Sequence, residues 1–327
     1  MSAHESSRIE GDHCQDSPGK GNVPKEEAGE DDPLTTSGFS RGLRFAVVGA
    51  LSFSVMSACA KLAGDRIPSQ EIVFFRAIIV TSLTYWALRT RKLNPWGPDR
   101  GLLLLRGLLG YAALSCFLWA VIRLPLADAT VIHFTNPVFT ALLAAVFIGE
   151  VLRGWEVVLA LTALGGVALV ARPGFLFGEV SGLDPLAVSA ALAGAILSAG
   201  AYVAAKRLTR NHDPLVIVFS FAFLSLVGSI PATISDFVLP DLGGWLALLG
   251  VGLGAQGGQV YVTKALQVEK AGRVMAVGYL QIVFATGWGL LLFQEVPDAW
   301  TGVGAAVIIG STFLMGRVHP VAAPRGR

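Results

Sequence analysis

Two arginines sit where arginine is costly. Arg76 lies about seven residues into one apolar run and Arg106 about five into the next, and a guanidinium in such a place can offer a bidentate fork to a carboxylate or phosphate. Each also has a structural reading: Arg76 bonds neighbouring carbonyls or snorkels outward, and Arg106 snorkels from its shallower depth. Three polar stripes recur at helical spacing on one face each. They are Tyr111, Ser115 and Trp119; Gln256, Gln259 and Thr263; and His133, Asn136 and Thr140, with Pro137 interrupting the last. Such stripes either line a solute cavity or hydrogen-bond between helices. Tyr261, Tyr279 and Gln281 extend the candidate binding set.

His133 is the single histidine inside an apolar run. It can carry a coupled proton, or it is a packed hydrogen-bonder. Glu150 follows that same run and Glu295 its later equivalent, and both read either as gate latches or as helix-end residues that fix a tight turn. The spacing excludes other chemistries. No His/Cys/Asp/Glu cluster has metal spacing, and neither G-x-S-x-G nor a Walker loop occurs. No catalytic residue, cofactor, metal or nucleic-acid partner is therefore expected. Gly252-Leu-Gly254-Ala-Gln-Gly257 satisfies G-x-G-x-x-G but lies inside an apolar run without the βαβ context. Gly250, Gly254 and Gly258 read instead as a face for close helix approach.

The elements that position these residues are membrane helices. Hydrophobic residues make up 53% and charged residues 15%, and the apolar runs repeatedly reach the ~20 residues a bilayer crossing needs. Barrel-type alternation is missing, so the expected fold is all-α and integral to the membrane. Ten spans are expected, near 43–63, 69–88, 101–122, 126–148, 154–171, 186–205, 214–234, 243–264, 271–293 and 298–316. Residues 1–40 hold nine acids against three bases and almost no large apolar side chains. They are expected to be a disordered acidic tail, and 317–327 a short second tail. Cys14, Cys59 and Cys116 form no disulfide framework.

The chain also matches itself at an offset of 145 positions. Lys61 falls on Lys206, Val73-Phe74 on Val218-Phe219, Gly107 on Gly252, Val138-Phe139 on Val283-Phe284, Glu150 on Glu295, Trp155 on Trp300 and Gly165 on Gly310. Five spans per copy is an odd number, so two five-helix repeats, 42–172 and 186–316, run inverted to each other. Tyr111 then aligns with Gln256 and Asn136 with Gln281, whereas Arg76 aligns with Phe221 and Arg106 with Val251. Sixteen Lys and Arg fall on one side of the ten spans and four on the other. Both termini are therefore expected in the cytoplasm of a multi-pass protein of the plasma or inner membrane.

Ten spans in two copies, each closing its fourth span with Glu, resemble the drug/metabolite transporter superfamily and its EamA-type repeat. Leu126-Ala-Asp-Ala-Thr-Val-Ile-His-Phe-Thr-Asn-Pro-Val-Phe139, Gly149-Glu150, Ala171-Arg-Pro-Gly-Phe-Leu-Phe-Gly178, Phe75-Arg76 and Arg106-Gly107 resemble more narrowly the subgroup-G solute carriers of the nucleotide-sugar-transporter class. The resemblance covers about 42–316 and implies a secondary carrier with a central site between the repeats. The expected function is alternating-access transport of small organic metabolites by a monomer or homodimer in a lipid bilayer. Arg76 and Arg106, with no unpaired intramembrane acid to repel an anion, point to an anionic or carboxylate solute. The other reading is a non-transporting scaffold or sensor that uses the acidic tail.

Overall fold

The computed structural model describes residues 40–64, 67–124, 126–151, 153–172, 176, 184–235, 237–294 and 296–317. Most of the acidic tail, most of the second tail, and Glu295 lie outside them. The described residues are helical throughout, with short connectors. The first repeat holds α1 (Arg41–Gly64), α2 (Ser69–Thr90), α3 (Arg100–Arg123), α4 (Leu126–His133), α5 (Asn136–Ile148) and α6 (Gly154–Ala171). The second holds α7 (Pro185–Leu208), α8 (Pro214–Ser235), α9 (Leu242–Val268), α10 (Ala271–Val277), α11 (Leu280–Phe293) and α12 (Ala299–Arg317).

Among the described residues, twelve helices make ten spans because the fourth span of each repeat is broken in two. Eight helical stretches, among them 129–148 and 271–293 taken whole, are long and apolar enough to cross a membrane, and Ala299–Met315 is a shorter apolar one. The tenth is α9, whose 27 residues reach about 40 Å at helical rise while its glycines and glutamines dilute its hydropathy.

Local chemistry starts and stops these helices. Asp184 accepts from Leu186 N at 2.9 Å with Pro185 in the first turn of α7, and Asp241 accepts from Gly244 N at 2.7 Å to open α9. Both fourth spans stop in the left-handed region at equivalent positions, Gly149 with φ 72° and Gln294 with φ 56°. Glycine meets that requirement without a Cβ clash and glutamine does not.

The repeats are interleaved rather than set side by side. The largest packing partners are α1 with α9, α3 with α7, α6 with α12 and α2 with α8, and each pair joins one repeat to the other. Small residues permit the approach. A Cβ on Gly107 would collide with Leu224, and one on Gly252 would sit 2.5 Å from Ile79. Ile79 and Leu224 are themselves equivalent at the 145-residue offset, so one contact is built twice. Gly250, Gly254 and Gly258 all face α1, where a Cβ on Gly254 would lie 2.7 Å from Met56 N. The glycine face is a packing surface, as its position inside a span implied.

Candidate functional site

Two residues touch their own counterparts. The Tyr279 hydroxyl donates to the Phe134 carbonyl at 2.8 Å, and their ring centroids are 5.8 Å apart. The Arg76 guanidinium lies 5.6 Å from the centre of the Phe221 ring. A residue can meet its equivalent only at the pseudo-two-fold axis relating the repeats, so both pairs mark that axis.

The first pair sits where the fourth spans break. Pro137 has no N–H to continue the helix, and Val138 N bonds Thr135 O at 3.0 Å rather than reaching Phe134. Gln281 N likewise bonds Gly278 O and Ile282 N bonds Tyr279 O, both at 3.0 Å. Both breaks are thus tight i→i−3 turns. The Phe134 carbonyl, released from its own helix, is taken by Tyr279, which is fully buried. Phe134 has no hydroxyl to return the bond, so the axis is asymmetric here.

The second pair gathers charge. Arg106 is 4% exposed, and its guanidinium lies 4.7 Å from the Phe221 ring centre and 5.8 Å from that of Tyr202. Two cations therefore share one phenyl ring. Gly110, one turn after Arg106, leaves room for this: a Cβ there would stand 2.6 Å from Arg106 Nη1 and from the Phe221 ring. The Nε atoms of both arginines are buried without a hydrogen-bond partner, and no described acid pairs with either. A single Arg at a span centre costs about 2.5–3.5 kcal/mol on insertion scales, and a desolvated cation–π contact returns roughly 2. This is the electrostatic focus of the interior.

Other candidates are spent on holding repeats together. Tyr111 donates to Gly228 O at 2.5 Å, and its counterpart Gln256 takes a 2.9 Å bond from Thr84. Each thus ties one repeat's third span to the other's second. Gln281 donates to Ser57 at 3.3 Å. Trp119 carries the Arg123 guanidinium 3.9 Å over its ring, and the Lys264 ammonium lies 5.1 Å from the ring centre of Tyr261 and 6.0 Å from that of Phe45. The arrangement at Trp119 and Tyr261 is that of aromatic anchors near span ends. Asn136 and Gln259 are buried, and the backbone carbonyl of each accepts from Thr140 and Thr263 respectively. Ser115 is partly buried on α3. His133 packs its ring 4.4 Å from that of Phe117 and leaves Nδ1 buried without a partner.

Charge condenses at the Lys/Arg-rich ends of the helices. Glu150 accepts from Ala271 N, the first residue of α10, at 3.0 Å and stands 3.7 Å from Lys206 Nζ. Lys206 donates to Leu266 O and Glu269 O at the end of α9. Lys270 and Arg273 pair with Glu156 at 3.0 and 3.6 Å, and Arg273 also reaches Glu269 and Met315 O. Ser40 donates to Glu269. Glu150, Val138, Ala141 and Arg273 share one wall-lined cleft here. Sequence reading missed Glu156, Glu269 and Arg273 as members, because a helix-end charge carries no sign of which distant helix it will meet. Tyr202 gave no signal either, being one aromatic in an apolar run.

A match to the EamA-like transporter family covers residues 40–172 and again 185–317. The chain belongs to the EamA-like transporter family. It is 35% identical over 277 residues to the pseudopaline exporter CntI of Pseudomonas aeruginosa, covering 84% of this chain and 96% of that protein. It is 34% identical over 282 residues to human solute carrier family 35 member G1, covering 83% of this chain and 77% of that protein. A crystal structure 22% identical superposes with a TM-score of 0.72 over 86% of this chain and 99% of its own, which establishes the shared fold. This EamA protein is a multi-pass membrane transporter of small metabolites.

Proposed function

We propose that this EamA protein is a secondary carrier, not an enzyme, that exposes one central site to each side of the membrane in turn. The observation that carries the reading is the meeting of the two broken fourth spans at Tyr279 and Phe134. In inverted-repeat carriers, discontinuous helices at the repeat interface bind the solute while the repeats rock about it. Arg76, Arg106, His133, Asn136, Gln259 and Gln281 are the side chains proposed for the solute path. Glu150, with Glu295 as its sequence counterpart, is proposed to latch alternate gates. The bonds of Glu150, Lys206, Glu156 and Arg273 across the repeats support a state closed at the Lys/Arg-rich end, assigned to the cytoplasm together with both termini. The kinship with a named exporter favours outward flux.

Solute counterflow in proteoliposomes tests the reading. A carrier shows uptake of labelled solute stimulated by unlabelled solute inside, saturating with concentration. Turnover of a compound without its translocation would replace this reading with a membrane enzyme. The scaffold reading is separated by deleting residues 1–40, because a carrier retains its counterflow.

A further inference from the structure

We infer that the axis site takes a small organic anion bearing two negative charges, a dicarboxylate or a phosphate monoester, held between Arg76 and Arg106 against Phe221. The inference rests on the carrier reading and names its substrate class. The two guanidinium carbons lie 5.6 and 4.7 Å from one ring centre. Geometry then keeps the charges within about 10 Å of each other, a range over which like charges repel strongly in a poorly solvated interior.

Nothing described offsets that repulsion. Neither arginine forms an ion pair or hydrogen bond with a described residue, and both Nε atoms are buried and open to an acceptor. None of the described acids that lie deep in the fold pairs with either arginine. Glu71 accepts from Val238 N at 3.0 Å through Oε2 and keeps Oε1 buried without a hydrogen-bond partner, while Glu156 and Glu269 hold Lys270 and Arg273. Two cations, Arg106 buried and Arg76 half-buried, with no acid paired to either call for a ligand that brings two negative charges.

Recognition geometry agrees. Guanidinium nitrogens present planar donor pairs that carboxylate and phosphate oxygens match, which an ammonium does not reproduce. Both guanidiniums stand over the Phe221 ring, and each keeps an Nε without an acceptor. Arg76 and Phe221 are equivalent positions, so the cation exists in one repeat and its platform in the other. A symmetric pair would have supplied two cations and no platform, or two platforms and no cation. The site depends on the broken symmetry.

The experiment uses the purified full chain, with thermal unfolding and proteoliposome counterflow read side by side. Succinate and glycerol 3-phosphate are the dianionic probes, propionate the monoanion, alanine the zwitterion and putrescine the dication. The expected result is a rise in unfolding temperature with succinate or glycerol 3-phosphate, weaker with propionate and missing with putrescine. Which dianion acts in counterflow separates carboxylate from phosphate. Arg76→Gln and Arg106→Gln should each weaken the effect at least about tenfold. Their ligand-free unfolding temperatures should stay level or rise, since one of two repelling charges is gone. Arg106→Lys keeps the charge for folding and should still bind weakly. Stabilisation by putrescine or alanine alone, unchanged dianion binding in the variants, or no anion-dependent shift at all overturns the assignment. Dianion binding without counterflow of any probe would spare the site and remove the carrier reading instead.

Discussion

The Tyr279 hydroxyl bonds the carbonyl of Phe134, the residue that stands 145 positions earlier and occupies the same place in the other repeat. The bond is possible because each fourth span breaks at this level and lies on the axis. Removing the hydroxyl in Tyr279→Phe deletes the bond and leaves a buried carbonyl unmet. Membrane hydrogen bonds average about 0.6 kcal/mol with a maximum near 1.7. The variant should therefore unfold a few degrees earlier while keeping its fold. An unchanged unfolding temperature, together with unchanged counterflow, would show that the contact carries no energy.

Glu150 joins the end of one broken span to the start of the other, through Ala271 N and Lys206. Glu150→Ala loses a helix cap, a change that costs about 1 kcal/mol, and also loses the ion pair. Glu150→Gln keeps an acceptor for Ala271 N and should fall between wild type and Ala. Both should raise labelling of a cysteine placed at Ala141, in the cleft beside the latch, once Cys14, Cys59 and Cys116 are replaced. A labelling rate that does not move would remove Glu150 from gating.

Gln294 is held in the left-handed region where its counterpart is Gly149. A non-glycine residue there is strained by about 1–2 kcal/mol. Gln294→Gly should raise the unfolding temperature, and Gly149→Ala should lower it. The pair of opposite signs is the check.

Gly252 receives Ile79 as Gly107 receives Leu224. Gly252→Val forces α9 from α2 and should be strongly destabilising, because a packed interface has no room to yield. Gly310→Ala meets nothing within 4 Å and should be tolerated. Similar unfolding temperatures for the two variants would mean that glycine spacing does not set the helix approach.

Much of the frame was readable before any coordinates. The 145-residue offset located both repeats, and the matched Gly107 and Gly252 proved to make one contact twice. The Asn-Pro at Asn136 and Pro137 signalled an interrupted span, but Gly278 and Tyr279 carry no proline, so the second break was not visible. Tyr111 and Gln256 were legible as an equivalent polar pair. Their use as ties between repeats was not, because hydrogen-bond partners 117 and 172 positions away leave no periodic trace.

The sequence alone determined that this is a duplicated helical membrane protein, since hydropathy and the offset are local properties that a bilayer converts directly into spans. It also determined which charges are costly, because the place of Arg76 and Arg106 inside apolar runs takes them from water. Only the tertiary structure decided that these two cations share the ring of Phe221, and that Phe134 and Tyr279 meet. Both facts depend on where the pseudo-two-fold axis passes, which interleaved helix packing fixes.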